Sequence, residues 1–283
     1  GKTLSYASIF LIVAVVLAIF AFVASKGIAT FTQNNASLKE FLTGTEWNPN
    51  ATVAGRPQVG ALPMILGSFG VTLLAALFAT PFAIGTALYM TELSTKRSQR
   101  FMQSVIELLV GIPSVVYGFI GLTTVVPFVR DHFGGSGYGI LSGSFVLFVM
   151  VLPTITSMTV DSLKAVPKHY KSASLALGAT EWQTIYRVLL RAALPGIMTA
   201  IVFGMARAFG EALAVQMVIG NATLLPESLL APASTLTSVL TMGIGNTVMG
   251  TVSNNALWSL ALVLLLMSLF FNIAVRFISR KGK

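Results

Sequence analysis

Six stretches of this sequence are long and apolar enough to cross a lipid bilayer, where each helical span needs about 20 mostly apolar residues. They lie at residues 4–24, 62–89, 101–129, 140–160, 192–219 and 256–277. Only 10% of the residues are charged and 55% are hydrophobic, whereas a soluble globular protein has about 25% charged residues. This excludes a soluble enzyme, a disordered chain and a disulfide scaffold. It predicts an all-α, polytopic membrane protein with six transmembrane helices.

The first stretch, 4–24, is predicted to remain as a helix of the protein. It is longer than the apolar core of a signal peptide, and no small-residue cleavage site follows it. The sequence contains no internal repeat and no low-complexity tract. We therefore expect residues 1–283 to form a single transmembrane domain.

The positive charges predict the orientation of the spans, because Lys and Arg accumulate in the cytoplasmic loops of membrane proteins. With both termini in the cytoplasm, 13 of the 18 basic residues lie on the inner side, four lie on the outer side, and Arg207 lies within a span. The inner set is Lys2, Lys96, Arg97, Arg100, Lys164, Lys168, Lys171, Arg187, Arg191, Arg276, Arg280, Lys281 and Lys283.

Three connections follow from this topology. Residues 25–61 are expected to form a long, polar extracytoplasmic loop, and residues 161–191 a cytoplasmic loop with helical character. Residues 221–255 form an extracytoplasmic segment rich in Thr, Leu and Gly. Its composition suits a segment that is partly re-entrant or lies on the membrane surface.

Charged residues within the apolar spans are informative, because an ion inside a bilayer usually faces a cavity or a partner. Arg207 lies about 24 Å along the fifth helix from the inner loop. Glu211 follows four residues later, on the same predicted helix face. Glu107 lies within the third span, about 10 Å from its basic inner end. Glu92 is expected at a helix end, as an interfacial carboxylate near Lys96.

Two interpretations of Arg207 and Glu211 are open. They can form an intrahelical ion pair that holds the bundle together. Alternatively, they can handle an anion, because a guanidinium binds carboxylate or phosphate through two parallel hydrogen bonds. Glu211 would then hold the Arg until an anion competes for it. Glu107 either bonds neighbouring polar groups, pairs with Arg207, or contributes to a transport path. Ser114 and Thr154 are further polar candidates for that path.

The inner loop contains signals for two helices joined by a tight turn. Gly178 can end the first helix in a left-handed cap. Thr180 can cap the next helix, which begins at Glu181, with Gln183 completing a capping box. Such an element could transmit a push from a docked partner, or it could only link two spans. The small residues that permit close approach by a partner are Ser172, Ala173, Ala176 and Ala179.

No catalytic constellation can be recognised in the sequence. The chain has no cysteine and 2 His residues, so neither thiolate chemistry nor a His-based metal site is expected. It lacks the P-loop pattern of ATP-binding proteins and the H-E-x-x-H and G-x-S-x-G motifs of hydrolases. If transport depends on ATP, another subunit must bind it.

The inner loop resembles the coupling loop of ABC importer permeases, whose pattern is E-A-A-x-x-x-G. Ala173 and Gly178 match this pattern, whereas Ser172 replaces its Glu. Further segments are similar to phosphate permeases of the Pst system: parts of the outer loop between residues 41 and 63, G-I-P-S-V-V-Y-G at 111–118, and A-R-A-F-G-E-A at 206–212. The resemblance covers nearly the whole chain from residue 41 onward and favours the C-type permease over its A-type partner.

The resemblance implies the fold of a type I ABC importer membrane domain in the bacterial plasma membrane. It implies a transport subunit without a cofactor of its own, paired with an A-type permease and with two cytoplasmic ATPase subunits that use ATP and Mg²⁺. An extracytoplasmic phosphate-binding protein would deliver inorganic phosphate. The family's intramembrane Arg and Glu correspond to Arg207 and Glu211. The coupling loop corresponds to residues 172–181, including Ala179, Thr180 and Glu181.

Three alternatives are retained. An importer of sulfate, molybdate or tungstate would share the architecture, and an Arg alone does not distinguish these anions from phosphate. A secondary transporter or ion channel could use Glu107 and Glu211 as proton relays, but it would work without an ATPase. A membrane enzyme is the weakest alternative, because no nucleophile–base or metal constellation is present.

Overall fold

The computed structural model describes residues 2–53 and 55–281. The N-terminal part contains α1 (Lys2–Thr32), α2 (Leu38–Thr43), the strands β1 (Trp47–Val53) and β2 (Arg56–Val59), and α3 (Leu62–Leu88). The central part contains α4 (Lys96–Gly111), α5 (Ser114–Ile120), α6 (Val126–Phe133), α7 (Ile140–Lys164), α8 (Lys168–Ala176) and α9 (Glu181–Thr184). The last part contains α10 (Leu190–Phe209), α11 (Leu213–Val218), α12 (Leu236–Ile244) and α13 (Val252–Lys281).

Among the described residues, three π-helical turns extend or connect the α-helices, at Tyr89–Leu93, Gly121–Val125 and Ile185–Leu189. Of the predicted inner-side cations, Lys283 lies outside the described residues. The side chains of Lys2, Arg276, Arg280 and Lys281 are also outside the described part.

The described residues contain 5 helices long and apolar enough to cross a membrane, and a sixth crossing if one bent pair counts as a single span. The bent pair is Lys96–Gly111 with Ser114–Phe133, which meet at 91°. The five helices are Ser5–Thr32, Leu62–Leu93, Ile140–Lys164, Glu181–Phe209 and Val252–Ala274. The predicted apolar stretches are therefore present as helices, but the third is broken rather than straight.

The break in the third span has a local cause at Pro113. Proline has no N–H to bond the carbonyl of Leu109, four residues earlier. The residue before a proline also avoids the helical region, and Ile112 is extended, with φ −69° and ψ 129°. The hydroxyl of Tyr117 donates to the Leu109 carbonyl at 2.8 Å. This side chain supplies the hydrogen bond that Pro113 cannot make.

The fifth predicted span has different limits in the structure. Its helix begins at Glu181, within the predicted inner loop 161–191, and runs for 29 residues to Phe209. It stops there, and residues 210–212 separate it from α11. The predicted stretch 192–219 therefore contains a helix break just after Arg207.

Small residues hold the central helices close together. α3 packs along α7, and α10 packs against α7. Ala75 and Ala79 of α3 are fully buried. A Cβ atom added to Gly204 of α10 would lie only 2.6 Å from Cγ1 of Ile155 in α7. Helices in membranes use small residues for such close approach, and this packing brings the middle of α7 next to the end of α10.

The outer segments contain more regular structure than the composition predicted. The first helix continues to Thr32, so residues 25–32 of the predicted outer loop are helical. β1 and β2 form an antiparallel hairpin whose turn includes Gly55, with φ +76°. In the segment 221–255, α12 begins at a capping box made by Thr235 and Ser238.

Candidate functional site

Arg207 is held in place by Thr154. It lies in the last turn of α10, and its Nη1 donates to Oγ1 of Thr154 at 2.5 Å. Thr154 lies near the middle of α7 and is buried, whereas the Arg207 side chain is exposed in this chain. A guanidinium has five N–H donors, and one of them has a hydrogen-bond partner among the described residues. Arg207 therefore keeps donors available for a ligand.

Glu211 does not share a helix face with Arg207, so that prediction is wrong. The helix ends at Phe209, and the Glu211 N–H bonds the carbonyl of Ala208, only three residues back. The carboxylate turns to the following helix, where Oε1 accepts from the N–H of Ala214 at 3.2 Å. Glu211 thus caps the first turn of α11.

The intrahelical ion pair between Arg207 and Glu211 is not formed. In the part of the chain that the structure describes, the ion pairs are Arg130 with Asp131 and Lys171 with Glu92. Arg207 and Glu211 nevertheless line the same small gap, together with Leu147, Met150, Val151 and Ala208. The gap has room for about one water molecule. The two side chains are therefore neighbours without being bonded partners.

Hydroxyl groups from two distant segments surround Glu211. Thr237 Oγ1, at the start of α12, donates to the backbone carbonyl of Glu211 at 2.8 Å. Ser68 Oγ of α3 accepts from the N–H of Leu236 at 2.9 Å. Ser68 and Thr237 line a second small gap beside Glu211, with Thr72 and Thr235. Sequence reasoning missed these hydroxyls, although the capping pattern at Thr235 was a visible signal for the start of α12.

Glu107 is not brought to this gap. It lies on the exposed face of α4 and accepts from Nε2 of Gln103 at 3.0 Å. It lines a surface depression with Ser104, Leu108 and the residues of the helix break. Its part in a pathway stays a prediction. Across residues 2–53 and 55–281, no cluster of three or more His, Asp or Glu side chains could hold a metal ion.

Tyr117 is a second residue that sequence reasoning missed. Its hydroxyl bonds across the broken span to Leu109, and the residue belongs to the same buried cluster as Ala208, the neighbour of Arg207 in the sequence. Gly118 lets α5 approach α11, because an added Cβ would lie 2.9 Å from the Cα atom of Ala214. The break in the third span therefore packs beside the break that follows Arg207.

The inner loop has the predicted form of helix, Gly turn and helix. Gly178 has φ +83°, and the N–H of Ala179 bonds the carbonyl of Ser174 at 3.2 Å, as in a Schellman cap. Thr180 and Gln183 form the predicted capping box. Glycine suits this turn because a left-handed residue with a Cβ atom is strained.

The loop exposes large apolar side chains. Leu177 is 89% exposed, Trp182 is 66% exposed and Tyr186 is 61% exposed. Ser172, Ala173, Gly178, Thr180 and Glu181 are also exposed, while Ala179 is half-buried. A cluster of exposed apolar groups at one end of a bundle is typical of an interaction surface.

Glu92, predicted as an interfacial carboxylate near Lys96, forms an ion pair with Lys171. Its Oε2 accepts from Nζ of Lys171 at 2.6 Å. The two residues are 79 positions apart in the sequence. The pair connects the C-terminal end of α3 to α8.

The sequence is similar to those of known transport proteins. Residues 79–282 match the protein family described as "Binding-protein-dependent transport system inner membrane component". The chain is 50% identical over 284 residues to the "Probable ABC transporter permease protein YqgH" of Bacillus subtilis, covering 100% of this chain and 91% of that protein. It is 36% identical over 220 residues to the "Phosphate transport system permease protein PstC" of Mesorhizobium japonicum, covering 71% of this chain and 66% of that protein.

A solved structure shares the fold. It is described as a bacterial alginate ABC transporter in complex with an alginate pentasaccharide-bound periplasmic protein. The TM-score is 0.60 at 16% identity, covering 98% of this chain and 95% of the other. At this identity the likeness concerns the fold and not the substrate.

Proposed function

The chain belongs to the family of binding-protein-dependent transport system inner membrane components, and we propose that it is the C-type permease subunit of an ATP-driven inorganic phosphate importer. Family membership makes it an ABC importer permease, a multi-pass inner membrane protein and a transport subunit rather than an enzyme. The predicted all-α fold of a type I ABC importer permease is confirmed by its structural neighbours. The substrate and the exact partners belong to the proposal.

The observation that carries the phosphate assignment is the Arg207 side chain, held by Thr154 at 2.5 Å with other donors available. Arg binds tetrahedral oxyanions well, because its planar fork offers two parallel N–H groups. A charged group within a membrane domain is costly unless it serves a cavity or a partner. Similarity to the "Phosphate transport system permease protein PstC" supports the same assignment.

Glu211 favours phosphate over sulfate on chemical grounds. An ionised carboxylate is a hydrogen-bond acceptor only. Inorganic phosphate carries at least one proton at neutral pH and can donate to such an acceptor, whereas sulfate carries none. A carboxylate lining the same gap as Arg207 would therefore repel sulfate more than it repels phosphate. This distinguishes the proposal from an importer of sulfate.

The small gap between Arg207 and Glu211 must widen if one anion is to contact both side chains. It has room for about one water molecule, which is too little for a phosphate ion. We expect the helices around Arg207 to separate when the paired ATPase subunits bind ATP with Mg²⁺, and α8 with its Gly178 turn to transmit that movement. The site would then alternate between the binding protein outside and the cytoplasm, where both termini of the chain are expected to lie.

The test is uptake of radiolabelled phosphate into proteoliposomes that contain this chain, its A-type partner, the ATPase and the binding protein. Uptake is measured with and without internal ATP and with excess sulfate outside. ATP-dependent uptake that sulfate does not suppress supports the proposal. Uptake that sulfate suppresses would favour another oxyanion, and uptake that follows a pH gradient without ATP would favour a secondary transporter.

A further inference from the structure

We propose that the ion pair between Glu92 and Lys171 links the movement of α8 to the transmembrane helix α3. This inference rests on the proposed ATP-driven import. The proposed import mechanism gives Glu92 and Lys171 no role. Here they act as positioning residues in the transport cycle.

α8 has little apolar attachment to the bundle. None of its nine residues is buried, so hydrophobic packing does not hold it rigidly against the transmembrane helices. In the described part of the chain, two side-chain hydrogen bonds connect α8 to other elements. One joins Lys171 to Glu92, and the other joins Ser174 to the fully buried Thr184 at 2.8 Å. Together with the short chain connections to α7 and α9, these polar contacts attach α8 to the bundle.

The ion pair between Glu92 and Lys171 is short and partly buried, so it can transmit a displacement of α8. The Nζ–Oε2 distance is 2.6 Å, and the Glu92 side chain is only 14% exposed, against 38% for Lys171. Charge-assisted hydrogen bonds are stronger than neutral ones, and salt screens a partly buried pair less than an exposed pair. Removal of Lys171 would leave a largely buried carboxylate without its partner.

Glu92 connects the ion pair to the packed helices at the C-terminal end of α3. It lies in the π-helical turn Tyr89–Leu93, which continues directly from α3. Met90 of the same turn is buried in a cluster with Ile106 of α4 and Val160 of α7. A displacement of Glu92 therefore acts on α3 and its neighbours.

The two polar contacts of α8 reach the two sides of the candidate anion site. α3 carries Ser68, which lines the gap beside Glu211. Thr184 belongs to the continuous helical run that ends next to Arg207. A rigid displacement of α8 would thus act on both elements, and loss of one contact would uncouple one of them.

The first experiment measures phosphate uptake and ATP hydrolysis in the same proteoliposomes, with the complete complex. The variants are Glu92→Gln, Lys171→Met and the charge-reversed double variant Glu92→Lys/Lys171→Glu. Lys168→Met is the matched control, because it removes a charge from the same helix at an exposed position. We expect each single variant to lower phosphate uptake per ATP hydrolysed by about fivefold, as for directly coupled residues. The double variant should recover most of the loss.

Unchanged uptake per ATP in both single variants would overturn the inference. So would an equal loss in Lys168→Met, because the effect would then come from the charge of α8 rather than from the pair. A double variant that stays as poorly coupled as the singles would also overturn it.

The second experiment does not depend on the substrate. The chain has no cysteine, so Leu93→Cys and Lys168→Cys provide its two spin-label sites, and the partner subunits are used in cysteine-free form. The label-to-label distance is measured in the complex without nucleotide and with ATP bound to a hydrolysis-deficient ATPase. We expect one distance in both states, because α8 and the end of α3 move together. In the Glu92→Gln background, binding of ATP should change the label-to-label distance.

These outcomes separate the two proposals. If the complex does not import phosphate but the distance behaves as expected, the proposed substrate is wrong and the link between α8 and α3 stands. If phosphate is imported and the distance changes equally with and without Glu92, the link is wrong and the importer stands.

Discussion

The hydroxyl of Tyr117 donates a 2.8 Å hydrogen bond to the carbonyl of Leu109. Pro113 cannot donate to this carbonyl, and the Ile112 N–H reaches it only at 3.4 Å. The bond from Tyr117 connects α5 to α4 across the 91° bend between them. The bend in turn lets α5 pack against α11 through Gly118. A backbone defect caused by one proline is thus stabilised by a side chain and helps to shape the wall near Arg207.

Tyr117→Phe tests this bond. The change removes the hydroxyl and leaves the Leu109 carbonyl with only the longer bond from the Ile112 N–H, at 3.4 Å, at a cost of about 1 kcal/mol. In a domain of this size, this corresponds to a fall of about 2 °C in the thermal unfolding midpoint. The measurement is thermal unfolding of the purified complex in detergent. Tyr89→Phe is the control, because Tyr89 is exposed, and an equal fall in both variants would contradict the role of the bond.

Arg207→Lys tests whether the guanidinium fork matters beyond its charge. Lysine keeps the charge but loses the paired donors, so we expect ATP-dependent phosphate uptake to fall by at least about tenfold. Proteoliposome uptake at several phosphate concentrations is the measurement. Uptake at the wild-type rate would exclude Arg207 from the site.

Thr154→Val tests the positioning of Arg207. The variant is close in shape and removes the hydroxyl that accepts from Nη1, so we expect uptake to fall by about fivefold. Thr154→Ser should remain close to wild type. Thr156→Val is the matched control, because Thr156 bonds only within its own helix, to the Leu152 carbonyl. A loss in Thr156→Val as large as that in Thr154→Val would indicate a general effect on α7.

Glu211→Gln tests anion selectivity. Glutamine can still accept from the Ala214 N–H, so the cap on α11 is retained. The negative charge that disfavours sulfate is removed, and the amide offers a donor to a fully ionised anion. We therefore expect excess sulfate to inhibit phosphate uptake in Glu211→Gln but not in wild type. Glu227→Gln, at an exposed position, should behave as wild type, and resistance of both variants to sulfate would remove Glu211 from selectivity.

Gly178→Ala tests the turn of the inner loop. Gly178 has φ +83° and open space around it, so the cost of a Cβ is the left-handed backbone alone, about 1 kcal/mol. We expect the unfolding midpoint to fall by about 2 °C. Gly85→Ala provides the contrast, because Gly85 is helical and also has no atoms near an added Cβ. That variant should be neutral or slightly more stable, and a fall as large as that of Gly178→Ala would contradict the interpretation.

The sequence by itself determined the features that depend on neighbouring residues. Apolar stretches of sufficient length predicted the spans, since a bilayer permits few alternatives to a helix. The capping box at Thr180 and the left-handed cap at Gly178 were correctly predicted, because both consist of hydrogen bonds within a few residues. The family resemblance, carried by short motifs, was confirmed at the level of the ABC importer permease.

Only the tertiary structure decided which distant side chains meet. An unbroken helix would place Glu211 on the face of Arg207, but the helix ends at Phe209 and Glu211 turns to Ala214. Arg207 bonds Thr154 rather than Glu211, and Glu92 bonds Lys171.

These partners come from segments 53 and 79 residues away. Their contact depends on how helices pack around Gly204 and on where α8 lies against the C-terminal end of α3. Helix periodicity relates residues three or four positions apart, and it carries no information on such packing. The charges that mark the site are therefore visible in the sequence, whereas their bonds are decided by the fold.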